Sequence, residues 1–257
     1  MSIILAAALT AIGLFGGVLL LLETGRRIGV RRMAADGEEP RAGMAAVEGA
    51  VFGLMGLLIA FTFSGAAARF DTRRQLVTEE ANDIGTAWLR LDLLPAAAQP
   101  ALRESFRRYV DLRLEVYRKL PDIKAANAAL GRCAALQAEI WAQAVAASRE
   151  SPAPAATLLL PALNQMFDIT TTRTMAAKIH PPVIIFVTLV ALTLISALLA
   201  GYGMAAAKTR SWVHMLGFAV VMAATVYIII DLEHPRMGLI NIHETDQVLL
   251  DLRHSLK

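Results

Sequence analysis

The chain has 257 residues, 56% of them hydrophobic, and a mean hydropathy of +0.52; it is too apolar for an ordinary soluble domain. The formal charge is only +3, and no Lys/Arg-rich stripe interleaves with aromatic residues, which removes nucleic acid as a partner. The single cysteine, Cys133, excludes a disulfide framework or a cysteine-based zinc site within one chain.

Four segments reach the length needed to cross a bilayer, about 20 apolar residues: residues 2–23, 46–68, 181–203 and 211–231. The first has no basic residue ahead of it and no small-residue cleavage site after it, so it reads as a retained helix rather than a signal peptide. Residues 24–45 then form a short basic loop. In the second segment, "AVEGAVFGLMGLLIAFTFSGAAARF", Gly49, Gly53, Gly56, Ala60 and Ser64 recur at helical gaps and leave one face almost bare. Beside them Phe52, Met55, Ile59 and Phe63 form a bulky apolar stripe. The bare face is a candidate helix-packing seam. The bulky stripe is a candidate pore wall, because rings of apolar side chains can gate by dewetting.

The apolar period continues outward through Phe70, Val77, Ala81, Ile84, Trp88 and Leu91, and no proline intervenes between Glu48 and Leu94. Helix two is therefore expected to leave the membrane as a stalk that Pro95 ends. Further helices are expected at about 100–120, with Leu102, Phe106, Tyr109, Arg113 and Tyr117 on one side, and at about 122–149. "SPAP" at 151–154 reads as a turn, and a last helix runs from about Leu160 to Ile179. No period-2 pattern suggests a strand there. A seven-residue turn, 204–210, joins segments three and four; the "GYG" at 201–203 reads as a helix C-cap with an interfacial tyrosine. In the tail, "MGLINI" could be a short extended segment, and Thr245 or Asp246 is expected to cap a final amphipathic helix.

The fold class expected is an all-α membrane protein with four transmembrane helices and a helical insert between helices two and three. The divisions are 1–70 (first hairpin), 71–179 (insert), 180–232 (second hairpin) and 233–257 (tail). No Walker A, HExxH, GxSxG or dinucleotide fingerprint is present, and no histidines pair at i, i+4. Neither a catalytic residue, a metal ligand set nor a cofactor is expected. Charged residues do gather at the segment ends: Glu48 at one end of helix two, Arg69 at the other, and Asp231 and Glu233 at the exit of helix four. They read as mouth charges of a vestibule or as interhelical ion pairs.

Orientation follows from Lys and Arg near the membrane. Arg26, Arg27, Arg31, Arg32, Arg41, Lys208 and Arg210 in the short loops nearly balance Arg69, Arg73, Arg74, Arg173, Lys178 and Arg236 opposite. The first helix carries none before it and four soon after, which puts the short loops in the cytoplasm and the insert and both termini outside.

The stretch "VFGLMGLLIAFTFSGAAARFDTRRQLVTEEANDIGTAWLRLDLLP", followed by "LLLPALNQMFDI", "ALLAGYGM", "RSWVHML" and "DLEHPRMGLI", resembles a bacterial membrane family described as bestrophin-like. The resemblance covers nearly the whole chain in order. Bestrophins are pentameric anion channels with four membrane helices per subunit, a large helical region between helices two and three, and apolar rings on helix two at the pore neck. By position on helix two, the resemblance implies such rings at Phe52, Ile59 and Phe63. It also implies a cytoplasmic insert, opposite to the charge reading, whereas a ring of Glu48 would favour cations. Two functions stand at this point: an oligomeric ion channel of the bacterial cytoplasmic membrane with helix two at the pore, or a non-conducting membrane scaffold or sensor whose insert binds a partner. The partners expected are the lipid bilayer, further copies of the chain and a permeant ion.

Overall fold

A computed structural model describes residues 3–36, 42–120, 122–206 and 210–257. Arg41 and Lys208, used above for orientation, lie outside the described residues. Among the described residues every regular element is helical: α1 (Ile3–Asp36), α2 (Ala42–Arg90), α3 (Gln99–Arg118), α4 (Ile123–Arg149), α5 (Ala153–Lys178), α6 (Val183–Gly203), α7 (Trp212–Leu232) and α8 (Gln247–Ser255), with short 3-10 turns after α2 and α6 and before α8. Four helical stretches among the described residues are long and apolar enough to cross a membrane.

The chain divides into two compact units. The first comprises residues 1–68 and 180–234, the second 69–179 and 235–257. In the first unit α1 packs against α6 and α7. Its buried side is Leu14, Val18, Leu22, Gly25 and Gly29, at the gaps of 4, 4, 3 and 4 that keep residues on one helix face. The loop expected after residue 23 is largely helix instead. α1 runs 34 residues to Asp36, about 51 Å, because Glu23 pairs with Arg26 and Arg27 one turn on and no proline interrupts it.

In the second unit the distal part of α2 contributes Val77, Ala81, Ile84 and Trp88, and the 3-10 turn after it Leu91, to a core with α3, α4, α5 and α8. Each of the larger of these side chains contributes about 1.5–3 kcal/mol on burial. α2 continues unbroken to Arg90 and the chain turns at Pro95, as the proline spacing predicts. α5 begins at Ala153, earlier than the expected Leu160. Residues 150–152 are the turn between α4 and α5; Pro152 is the α5 N-cap and Pro154 sits in its first turn, where a missing N–H costs nothing, so the second half of "SPAP" is already helix. Pro161 lies inside the same helix. "MGLINI" forms bends, not an extended strand. Asp246 occupies the α8 N-cap without a side-chain cap bond, because Arg236 holds both its carboxylate oxygens at 2.7 and 2.8 Å.

Candidate functional site

The membrane-crossing part of α2 is the least covered of the four apolar stretches. Met55 and Ala66 are buried, and Glu48, Phe52, Ile59 and Thr62 are half-buried. These six recur at gaps of 4, 3, 4, 3 and 4 and form the face α2 turns toward its own protomer. The bare stripe lies away from it. Gly49, Gly53, Gly56, Ala60 and Ser64 are all exposed, and a Cβ added at any of the three glycines would meet nothing within 4 Å. Leu54, Leu57 and Phe61 flank the stripe, exposed as well.

Of the bulky stripe, Phe63 is open, 45% exposed, whereas Phe52 and Ile59 are half-covered beside Met55. Glu48 turns inward: its carboxylate would lie 3.3 Å from a Cβ at Gly203 of α6. Asp231 and Glu233 are buried at the end of α7. Glu233 lies 3.4 Å from Nδ1 of His180, whose ring stacks on His234 at 4.8 Å between centroids. Arg69, in the second unit, is half-buried.

The glycines that the protomer itself requires are others. A Cβ on Gly25 would fall on the carbonyl of Leu198, and one on Gly201 would fall on the carbonyl of Leu22. Gly29 is held against Tyr202 and Ala205 in the same way. The first glycine of "GYG" is therefore neither filter nor cap; it lies inside α6 and lets α1 approach. Sequence reasoning missed this seam, although Gly25-x-x-x-Gly29 has the same signature as Gly49-x-x-x-Gly53.

The second unit holds a buried charge cluster, also missed. Glu80 on α2 is fully buried and accepts from Nε of Arg113 on α3 and from Nη1 of Arg173 on α5. Arg113 Nη2 donates to the Tyr117 hydroxyl, which lies 3.4 Å from Glu80 Oε2. The Tyr117 ring has the guanidinium carbons of Arg173 and Arg236 each 4.3 Å from its centroid. Burial pushes the Tyr117 phenol up to about 12, so at neutral pH it carries its proton and can donate to Glu80. Burial also pushes the nearby Cys133 thiol up, which keeps it an inert core side chain. Glu80 sits at the gap of 3 after Val77 and 4 before Ile84, an inward position of α2; a charged residue there was the available signal.

Among the described residues no group of three or more His, Cys, Asp or Glu side chains could hold a metal ion. The chemistry of the first unit is that of an apolar helix left uncovered, with charges gathered at the ends of the apolar stretches. Such a chain is a multi-pass α-helical membrane protein. The bestrophin-like domain matches residues 12–246, and the chain belongs to the bestrophin-like family. It is similar in fold to a bacterial bestrophin homologue from Klebsiella pneumoniae, solved as a tyrosine-to-alanine variant. The TM-score is 0.66 at 13% identity, covering 92% of this chain and 98% of that one. A tryptophan-to-alanine variant of the Klebsiella homologue matches with a TM-score of 0.64 at 13% identity, covering 96% and 97%. A crystal structure described only as a membrane protein gives 0.55 at 14% identity, covering 92% and 98%. No curated protein matches the chain.

Proposed function

We propose that this chain is one protomer of an oligomeric bestrophin-like ion channel of the bacterial cytoplasmic membrane, with α2 at the pore and the second unit as a helical insert outside the bilayer. The observation that carries the reading is the uncovered glycine face of α2. Nothing among the described residues requires Gly49, Gly53 or Gly56 to lack a side chain, so a neighbouring copy is the natural occupant. Five copies is the number that the bestrophin resemblance implies. In that ring Phe63, with Phe52 and Ile59 above it as partly covered wall, forms the apolar neck, and Glu48, Arg69, Asp231 and Glu233 form the charged ends.

The seam is tested by Gly53→Leu. The side chain has room in the isolated protomer, so folding should persist while the oligomer dissociates on size-exclusion chromatography. An unchanged oligomer of unchanged thermal stability would remove this face as the seam.

The pore is tested by Phe63→Ala. An apolar constriction strips an ion's hydration without replacing it, so the smaller side chain should wet the neck and raise ion flux in liposomes at matched protein density. No flux from wild type or variant would favour the scaffold reading. Equal, robust flux would keep the channel and remove Phe63 from its gate. Reversal potentials in the same preparation give the sign of the permeant ion, for which Glu48 favours cations and the family resemblance anions.

Orientation is proposed from the charge asymmetry about the first helix, with the insert and both termini extracytoplasmic. Cys133 is buried and makes a poor handle. A cysteine placed at Ser151, in a Cys133→Ser background, should react with an impermeant maleimide on whole cells with a permeable outer envelope. Labelling only after inner-membrane lysis would instead place the insert in the cytoplasm, as the bestrophin arrangement implies.

A further inference from the structure

At the short-loop end of the first unit, one carboxylate serves three guanidiniums. Glu23 receives Arg26 Nε at 3.1 Å, Arg27 Nε at 2.7 Å and Arg210 Nη2 at 2.5 Å. Arg27 and Arg210 converge on the same oxygen, Oε1, so their planar heads flank one point. Each guanidinium has five N–H donors in a fork suited to phosphate. The cluster keeps a surplus of positive charge and of donors, and the Arg27 side chain is 68% exposed.

The level of this cluster is set by the sequence. Residues 1–22 carry no charge and Glu23 is the first; Arg210 is the last charge before the apolar run of α7. The Glu23–Arg210 bond therefore joins α1 to the segment that leads into α7, at the level where the apolar run of one ends and that of the other begins. Trp212 stands at that level, 53% exposed, with Arg210 4.7 Å from its ring centroid. Below it Leu216 and Val220 continue at gaps of 4, both exposed. A tryptophan at a boundary with an apolar strip beneath and surplus guanidiniums beside it is chemistry for an amphiphile with an anionic head.

We infer that Arg27 and Arg210 bind the phosphate of an anionic phospholipid in the leaflet on the short-loop side, with its acyl chain along Trp212, Leu216 and Val220. This rests on the membrane reading alone, not on conduction, so a chain that carries no current leaves it intact.

The test uses the full chain reconstituted in phosphatidylcholine vesicles containing a fixed fraction of dibrominated lipid, either phosphatidylglycerol or phosphatidylcholine. Bromine quenches tryptophan at contact, and the part of the signal absent from Trp212→Phe belongs to Trp212. The wild type should prefer the brominated phosphatidylglycerol on the order of thirtyfold, two cation contacts near a surface being worth about that. The preference should weaken as salt is raised, drop in Arg27→Gln, and vanish in Arg27→Gln/Arg210→Gln. The exposed Arg27→Gln variant decides the matter where the double variant fails to fold. Equal quenching by the two lipids in the wild type, or a preference unchanged by Arg27→Gln, would overturn the site. Loss of the preference on adding millimolar glycerol phosphate would also overturn it, by showing a site for soluble phosphate rather than lipid.

Discussion

Glu80→Ala is expected to destabilise the second unit by about 3–5 kcal/mol, the range for removing one member of a buried ion cluster. The cost comes less from the lost contacts than from what remains. Arg113 is 1% exposed and Arg173 is buried beside it, and both would stay charged with no carboxylate. Arg113 Nη1 already has no hydrogen-bond partner, so the site has no spare acceptor to offer. Glu80→Gln keeps the shape and removes the charge, and should recover only part of the loss. The comparison is Glu104→Ala, whose exposed pair with Arg107 at 3.2 Å is worth about 0–1 kcal/mol. Thermal unfolding of the purified protein, with protease cleavage in the second unit as the local readout, ranks the three. Equal shifts for Glu80→Ala and Glu104→Ala would show that the cluster is not held dry.

How much of this was legible in the sequence depends on the kind of signal each part leaves. The four apolar stretches and the unbroken length of α2 follow from composition and from the 3- and 4-residue period, and these survive in the structure. The helical course of α1 beyond residue 23 does not show in hydropathy, because Arg26, Arg27, Arg31 and Arg32 look like a loop when only apolarity is scored. The pairs from Glu23 are what reveal it. "SPAP" misleads for a related reason: prolines break a helix interior yet suit its first turn, and the string alone does not say which.

The candidate site divides along the same line. The bare stripe of α2 is visible from spacing, and its five residues do lie together on an exposed face. Which side of the bulky stripe faces the protomer was not visible, because Phe52, Met55, Ile59 and Phe63 are equally apolar and only burial separates the open Phe63 from the others. Glu48 illustrates the limit for charges. Its position is clear from sequence, but its turn toward Gly203 depends on a side-chain rotation that no periodicity encodes.

The last expectation concerns the two kinds of glycine. Gly201→Ala should lower the yield of folded protein sharply or destabilise it by more than about 3 kcal/mol, because even one methyl group has nowhere to go. Its Cβ would fall on the Leu22 carbonyl, and backbone cannot swing aside as a side-chain tip can. Gly25→Ala meets the Leu198 carbonyl and should behave alike. Gly53→Ala is the matched comparison for the protomer's own fold: same chemistry, same kind of helix, open space around it within the protomer, and a helix propensity that favours alanine by about 1 kcal/mol, so any loss should appear as weaker association between copies. Melting curves and size-exclusion profiles of the three variants in one detergent make the comparison direct. If Gly201→Ala melted with the wild type, α1 and α6 would not be in backbone contact. If Gly53→Ala were as damaging as Gly201→Ala while the oligomer stayed intact, the face of α2 would be sealed within the protomer, and the argument for a neighbouring copy upon it would fail.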